Sequence, residues 1–204
     1  MADLIKCAAL AAALYMTACG QEPDKGVAQS GTVIASGTAD IGGPFTLTDH
    51  TGTMFTQEDL TGAPSLLYFG FSYCPDVCPT ALQKMGAVQA ALGQKGDDIR
   101  YVLISIDAER DTPESLVPYI GSRGFPRGLI GLSGTQAQID TAASAYRVYA
   151  QKVDDPQSAA EYGFDHSDLI LLMDSNGDFK DVFTPSNSVP EMAGRIKLLL
   201  NRRP

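Results

Sequence analysis

Two cysteines separated by three residues, each followed directly by a proline, are the feature that most constrains this chain. They lie in residues 74–79, with the sequence CPDVCP, directly after an apolar, strand-like run that ends at Phe71. Thiolates held this close together can bind a soft metal ion, form a disulfide, or do both in turn. The position of the two sulfurs in the fold therefore determines which chemistry is available.

The prolines indicate where the sulfurs lie. A residue that precedes proline is disfavoured in the helical region, so we expect both Cys74 and Cys78 outside a helix. Pro79 suits the first position of the following helix, which puts Cys78 near its N-cap. The positive end of the helix dipole stabilises a thiolate there. The sequence thus predicts a reactive pair in a loop at a helix N-terminus.

A metal site at this loop requires a further ligand, because two sulfurs rarely complete one. The spacing allows both sulfurs to approach one ion at about 2.3 Å. The chain has two histidines. His50 lies in a predicted turn, where a solvated side chain is the simplest interpretation. His166 precedes a predicted buried strand, where either a ligand or an ordinary polar loop residue fits. Two thiolates and one imidazole suit copper in either oxidation state, whereas structural zinc normally takes four protein ligands.

Residues 1–18 have the pattern of an export signal. An apolar run follows Lys6 and ends at Met16, well short of the roughly 20 residues that span a bilayer. Small residues then lead into Cys19, as at the cleavage site of a bacterial lipoprotein. An ordinary secretory signal and an uncleaved anchor are the alternatives. Residues 19–39 are polar without periodicity, so we expect a flexible tether.

This interpretation of the N-terminus changes the meaning of the four cysteines. Cys7 lies in the discarded signal and Cys19 carries lipid, which leaves Cys74 and Cys78 in the folded domain, residues 40–204. We expect that domain in the bacterial periplasm, a disulfide-permissive compartment, held at a membrane by several acyl chains. The net charge of −9 argues against a nucleic-acid partner.

The order of predicted elements indicates the fold class. A hairpin comes first, alternating strands and helices follow, and a second hairpin with an Asn176-Gly177 turn precedes the last helix. The apolar runs from Ser65 to Phe71 and from Arg100 to Ile106 are predicted to be buried strands. With a cysteine pair between a central strand and its helix, this order predicts a thioredoxin-like α/β fold. We expect a central mixed sheet flanked by helices, an N-terminal β-hairpin and a β-hairpin insertion.

Three blocks of sequence carry a family resemblance. They are residues 68–79 (YFGFSYCPDVCP), residues 105–114 (SIDAERDTPE), and residues 165–167 (DHS) with LMD at 172–174. In these blocks the chain resembles the Sco/SenC family of thioredoxin-fold copper proteins, over roughly residues 43–200. The resemblance implies that Cys74, Cys78 and His166 bind one copper ion, Cu(I) or Cu(II), per chain. It also implies copper delivery to, or thiol reduction at, the dinuclear copper centre of cytochrome c oxidase subunit II. Many relatives have a transmembrane anchor where this chain has its lipoprotein-like signal.

Several residues near this candidate site have two interpretations each. Asp76 either tunes the charge of the site or aids docking, or it is an ordinary loop acid. The charged residues of the second block either form a cluster beside the metal loop or cap the following helix. These are Asp107, Arg110 and Asp111. The aromatic residues Tyr68 and Phe71 are expected to line the core or a pocket.

Two functions are consistent with these residues. A copper metallochaperone is a binding protein, whereas a thiol-disulfide oxidoreductase uses a Cys74–Cys78 disulfide to exchange electrons with client cysteines. Only the first requires His166. Thioredoxins also place a cis-proline opposite their cysteines, and residues 165–167 contain no proline. A thiol peroxidase is disfavoured, because the chain has no tryptophan and Phe71 replaces the threonine expected three residues before Cys74. We expect a monomer whose client is subunit II or a related cuproprotein.

Overall fold

Nine strands and four α-helices build the described part of the chain, residues 40–156 and 160–201 of a computed structural model. The strands are β1 Thr46–Asp49, β2 Met54–Thr56, β3 Ser65–Gly70, β4 Arg100–Ser105, β5 Ile130–Ser133, β6 Ala150–Asp154, β7 Tyr162–His166, β8 Ile170–Met173 and β9 Phe179–Phe183. The helices are α1 Val77–Leu92, α2 Pro113–Ile120, α3 Gln136–Ala145 and α4 Val189–Leu200. Short 3-10 helices span Gln57–Leu60 and Gly93–Asp98. The predicted signal, the lipidated Cys19 and the tether lie outside the described residues.

Seven strands form one mixed sheet in the order β2-β1-β5-β4-β3-β8-β9. β4 pairs in parallel with both β3 and β5, while β8 runs antiparallel to β3. All six residues of β3 are buried, as expected of a strand covered on both faces. α1 packs against α4 and β3, α2 against β5, and α3 against β1. The predicted thioredoxin-like class, a central mixed sheet flanked by helices, is confirmed.

Local signals located most elements. β1 and β2 form the predicted N-terminal hairpin, and β8 and β9 form the predicted second one. In the β8–β9 turn, Asp174 Oδ1 accepts the backbone N–H groups of Asn176 and Asp178. Gly177 adopts φ +84° there, a conformation that glycine reaches without steric cost. The side chain of Thr112 accepts the N–H of Ser115, so the predicted N-cap of α2 is present.

A third hairpin, β6–β7, forms a separate two-stranded sheet inserted between α3 and β8. Its antiparallel register pairs Ala150 with His166. The residue pattern did not locate this insertion, because all five residues of β6 are exposed and carry no apolar alternation. The sequence predicted a loop at His166. In the structure His166 is instead the last residue of β7.

The start of α1 also differs from the prediction. α1 begins at Val77, so Cys78 lies in its first turn, and the prediction of a non-helical Cys78 was wrong. The effect of a proline on the preceding residue is a bias that tertiary packing can override. Pro79 loses no hydrogen bond there, because the first N–H groups of a helix have no intrahelical acceptor. Within the described ranges, no helix is long and apolar enough to cross a membrane.

Candidate metal centre

Three sequence-predicted site residues meet at the C-terminal end of β3. Cys74 lies in the loop after β3, Cys78 in the first turn of α1, and His166 at the end of β7. His166 Nε2 is 3.5 Å from Cys78 Sγ, although the two residues are 88 positions apart. His50 lies in the β1–β2 turn, where its Nδ1 accepts the backbone N–H of Gly131 over 3.4 Å. The fold thus brings together the predicted ligands and leaves the other histidine outside the group.

The spacing of Cys78 and His166 matches that of two ligands on one ion. A sulfur at about 2.3 Å and a nitrogen at about 2.0–2.1 Å lie roughly 3.5 Å apart when the angle at the metal is near tetrahedral. Among the described residues, no group of three or more His, Cys, Asp or Glu side chains has the arrangement of a complete metal site. Cys74 Sγ accepts the backbone N–H of Cys78 over 3.4 Å. It is also hydrogen-bonded to the Cys78 thiol and to the His166 imidazole, so the three predicted ligands are mutual neighbours.

His166 turns its Nε2 toward the cysteines. Its Nδ1 lies 3.1 Å from the carbonyl oxygen of Ser167. A carbonyl only accepts hydrogen bonds, so Nδ1 carries a proton, and Nε2 is the nitrogen that can bind a metal ion when it is deprotonated. The N–H of Ser167 donates in turn to the carbonyl of Tyr149 over 2.9 Å, which holds this carbonyl in place. A backbone carbonyl on the far nitrogen is the usual arrangement for a metal-binding histidine.

The two thiols differ strongly in acidity. The hydrogen bond from Cys78 lowers the pKa of Cys74 to about 4, with further help from His166 and the backbone N–H groups of Cys78 and Asp76. That same hydrogen bond, together with burial, raises the pKa of Cys78. Burial by itself would lower the pKa of His166, but hydrogen bonds to Cys74 and Ser167 outweigh it and raise that pKa. At neutral pH the metal-free pair is one thiolate, at Cys74, and one thiol. Both cysteines are free, so the predicted disulfide stays a prediction for the oxidised state.

We expect Cys74 to be alkylated first by iodoacetamide in the metal-free protein. Its pKa of about 4 keeps it ionised, so its rate should be nearly constant between about pH 6 and pH 8. An ordinary cysteine, with a pKa near 8.5, reacts about tenfold faster per pH unit in this range. Cys78 is protonated and 0% exposed, against 8% for Cys74, and should react slowly. Mass spectrometry of the singly modified protein checks the site, with Cys74→Ser as the control. First modification at Cys78 would contradict the assignment.

Aromatic rings form the wall behind the site. The ring of Tyr68 meets the imidazole of His166 edge-on, at 6.2 Å between centroids, and Phe71 does so at 6.0 Å. Burial raises the pKa of the Tyr68 hydroxyl, which remains a donor and bonds to Asp168 Oδ1 over 3.0 Å. Gly70 completes the wall, since a Cβ there would lie 3.0 Å from Cys78 Sγ. Tyr68 and Phe71 both belong to the buried core, one of the two predicted places, and Phe71 also lines a cavity. No sequence pattern indicated the role of Asp168.

Buried polar groups hold the loop that leads to Cys74. The carboxylate of Asp111 is 0% exposed and accepts the hydroxyl of Ser105 over 2.6 Å. It also accepts the backbone N–H of Ser72 over 2.9 Å, as well as the Ser72 hydroxyl. Asp111 therefore anchors the loop, and Thr112 caps α2 instead. The two serines were not identified from the sequence, because a serine beside a buried acid has no local pattern.

Charged residues of the second block form a cluster beside the site. Arg110 pairs with the buried Asp107, and its guanidinium packs on the ring of Tyr162. Asp107 and Arg110 therefore form the predicted charged cluster beside the site and do not cap the following helix. Asp76 is exposed at the N-cap position of α1 and makes no side-chain capping bond.

A cysteine pair at the start of the first helix and a histidine on an inserted hairpin define a thioredoxin-like protein with a thiolate–imidazole centre. The sequence profile of one family, SCO1/SenC, matches residues 34–201. This chain belongs to the SCO1/SenC family.

Individual relatives agree with this assignment. Protein SenC of Rhodobacter capsulatus is 43% identical over 159 residues, which are 77% of this chain and 69% of SenC. The mitochondrial SCO1 homolog of Homo sapiens is 40% identical over 159 residues, 76% of this chain and 52% of that protein. The structure of Bradyrhizobium japonicum ScoI with copper bound matches with a TM-score of 0.70 and 42% identity, covering 78% of this chain and 99% of that one.

Proposed function

We propose that this protein binds one copper ion through Cys74, Cys78 and His166 and acts in the assembly of cytochrome c oxidase. In the finer form of the proposal, it delivers copper to the dinuclear site of subunit II. The observation that carries the proposal is the 3.5 Å separation of His166 Nε2 and Cys78 Sγ beside the Cys74 thiolate. A relative at 42% identity, ScoI of Bradyrhizobium japonicum, has a copper-bound structure.

The chemistry of the donors fits copper in both oxidation states. Two thiolates are soft ligands that favour Cu(I), and an imidazole helps to accommodate Cu(II). Cys74 is ionised before binding, since its pKa is about 4. Cys78 must lose its proton, so binding releases a proton and becomes tighter as pH rises. The raised pKa of His166 acts in the same direction, because a protonated imidazole must also lose a proton before it binds copper.

Copper loading gives the direct test. We expect the reduced protein, without its signal, to bind one Cu(I) or one Cu(II) per chain. Cys74→Ser and Cys78→Ser should each abolish stoichiometric binding. Each variant keeps one thiolate and one imidazole and loses the pair of thiolates that chelates the ion. His50→Ala is the matched control, since His50 lies in the β1–β2 turn outside the site, and it should bind like the parent. Metal content after gel filtration measures each outcome. Full copper content in Cys78→Ser would overturn the ligand set.

Delivery requires its own measurement. Loaded protein mixed with the metal-free soluble domain of subunit II should lose copper as the visible spectrum of the dinuclear centre appears. Loss of copper only to a chelator, with none reaching subunit II, would overturn the finer part of the proposal and leave the binding site intact.

A second function, thiol-disulfide exchange, is favoured by the low pKa of Cys74, about 4. In this proposal the Cys74 thiolate attacks a client disulfide, forms a mixed disulfide and displaces one client thiolate. Cys78 then gives up its proton and attacks Cys74, which releases the second client sulfur. Two electrons pass to the client, and a Cys74–Cys78 disulfide remains. One client disulfide reduced per reduced protein, without copper, supports this function. Copper transfer with no thiol exchange rules it out.

The proposal includes export to the bacterial periplasm and anchoring by lipid on Cys19, with a monomeric domain at the membrane surface. It is supported by the apolar run that ends at Met16 and the small residues before Cys19. Metabolic labelling with a fatty-acid analogue tests it: label should be lost in Cys19→Ala and retained in Cys7→Ala.

A further inference from the structure

The histidine of the proposed copper site belongs to a different sheet from the strand that leads to the cysteines. His166 ends β7, which pairs with β6 in a two-stranded sheet of its own. Cys74 and Cys78 follow β3 of the main sheet. The distance between imidazole and sulfurs therefore depends on the short connection from His166 to β8 and on the side-chain contacts that hold the β6–β7 hairpin against the main sheet.

Arg110 supplies several of those contacts. Its Nη1 donates to the backbone carbonyls of Ala160 and Tyr162, over 3.1 and 3.2 Å. Its guanidinium carbon lies 3.6 Å from the centroid of the Tyr162 ring, within cation–π distance. Only 15% of the Arg110 side chain is exposed, so water and salt screen these contacts weakly. They fix the beginning of β7, four residues before His166.

The same guanidinium contacts the cysteine loop. Its central carbon lies 4.7 Å from the ring of Tyr73, the residue before Cys74, and 5.9 Å from the ring of Phe71. Phe71 in turn packs against the imidazole of His166. Arg110 thus stands between the loop that carries one sulfur and the strand that carries the imidazole, and it contacts both.

Asp107 holds Arg110 in this orientation. Its carboxylate is buried, with 1% of the side chain exposed, and accepts Arg110 Nε as well as the backbone N–H of Arg110. Asp107 also accepts the hydroxyl of Tyr162 over 2.9 Å. A planar guanidinium can donate to Asp107 and to two carbonyls while stacking on Tyr162. The single ammonium group of lysine cannot reproduce this set of contacts.

From these contacts we infer that Arg110 is a positioning residue of the metal centre, which sets the separation between the His166 imidazole and the two cysteine sulfurs. The inference rests on the proposed function, because it assigns Arg110 an effect on copper binding through His166. Arg110 itself contacts neither sulfur nor imidazole in the described hydrogen bonds.

The test compares Arg110→Lys with the parent, using Cu(II) and Cu(I) separately. Arg110→Lys keeps the charge and loses the planar contacts. We expect Cu(II) affinity to fall about 10- to 100-fold, the range for groups that orient a ligand. The visible and electron paramagnetic resonance spectra should shift toward those of His166→Ala. Cu(I), held by the two thiolates, should change less than about threefold. Arg110→Lys/His166→Ala should bind Cu(II) as His166→Ala does, because the two changes act through one ligand.

Controls separate positioning from general destabilisation. Arg127→Lys alters an exposed ion pair with Asp97, in which 69% of the arginine side chain is exposed, and should bind both ions like the parent. In the metal-free protein, amide hydrogens of β7 should exchange faster in Arg110→Lys, while those of β3 stay protected. Should Arg110→Lys fold poorly, Tyr162→Leu removes the stacked ring and should shift the Cu(II) spectrum in the same direction.

The outcomes distinguish this inference from the proposed function. A parent-like Cu(II) spectrum and affinity in Arg110→Lys, with binding weakened in His166→Ala, would overturn the inference alone. Equal losses of Cu(I) and Cu(II) binding in Arg110→Lys would also overturn it, since they indicate general disruption. Unchanged Cu(II) binding in His166→Ala would overturn the proposed ligand set itself.

Discussion

His166→Ala should weaken Cu(II) binding by at least about 100-fold while Cu(I) stays bound to the two cysteines. Removing a group that merely orients a ligand costs 10- to 100-fold in metal affinity, and removing a ligand costs more. The imidazole is the one side-chain nitrogen near the sulfurs in the described hydrogen bonds, with Nε2 3.5 Å from Cys78 Sγ. Cu(II) favours nitrogen and Cu(I) favours sulfur, so the loss should be selective for the oxidised ion.

Competition titrations with chelators of each oxidation state measure the two affinities, and the Cu(II) spectrum reports the change in ligands. His50→Ala controls for the loss of a histidine as such. Unchanged Cu(II) affinity and spectrum in His166→Ala would show that the third ligand is some other group. An equal loss for both ions would show that the imidazole also holds Cu(I).

Gly70→Ala should both destabilise the fold and disturb the copper site. An added Cβ would lie 2.7 Å from Cε1 of Tyr68 and 3.0 Å from Cys78 Sγ. Tyr68 is 0% exposed and hydrogen-bonded to Asp168, so its ring has little freedom to move. Overpacking of this kind costs about 1–3 kcal/mol, or a fall in Tm of about 2–12 °C for a domain of this size. Displacement of the sulfur should also weaken binding of both copper ions.

Gly194→Ala is the matched control for this substitution. Gly194 lies exposed within α4, and a Cβ there would meet nothing within 4 Å. Alanine in a helix interior is favoured over glycine by roughly 0.5–1 kcal/mol, so this variant should be slightly more stable with parent copper affinity. Thermal unfolding of the metal-free proteins gives the comparison. A Gly70→Ala protein as stable as the parent, with intact copper binding, would contradict the packing described around β3.

Elements with strong local signals were predictable. The Asn176-Gly177 turn, the Thr112 cap of α2 and the fully apolar β3 each depend on a few neighbouring residues, and all three are present. The β6–β7 hairpin was not located from the sequence. Every residue of β6 is exposed where it pairs with β7, so its sequence shows no alternation of apolar and polar residues. The start of α1 was placed too late, since the preference of a residue before proline is weaker than the tertiary context of that turn.

The sequence by itself determined that two thiols lie at the junction of a buried strand and a helix. The spacing of the two cysteines and the proline after each of them affect only neighbouring residues, so a local pattern was enough. Family resemblance in three short blocks added His166 to them. Only the tertiary structure decided how the imidazole reaches Cys78 across 88 residues. It also decided that Asp111 anchors the cysteine loop and that Arg110 contacts both Tyr73 and Tyr162. Such contacts join segments far apart in the chain, so they depend on packing and have no periodicity or spacing that a sequence pattern could reveal.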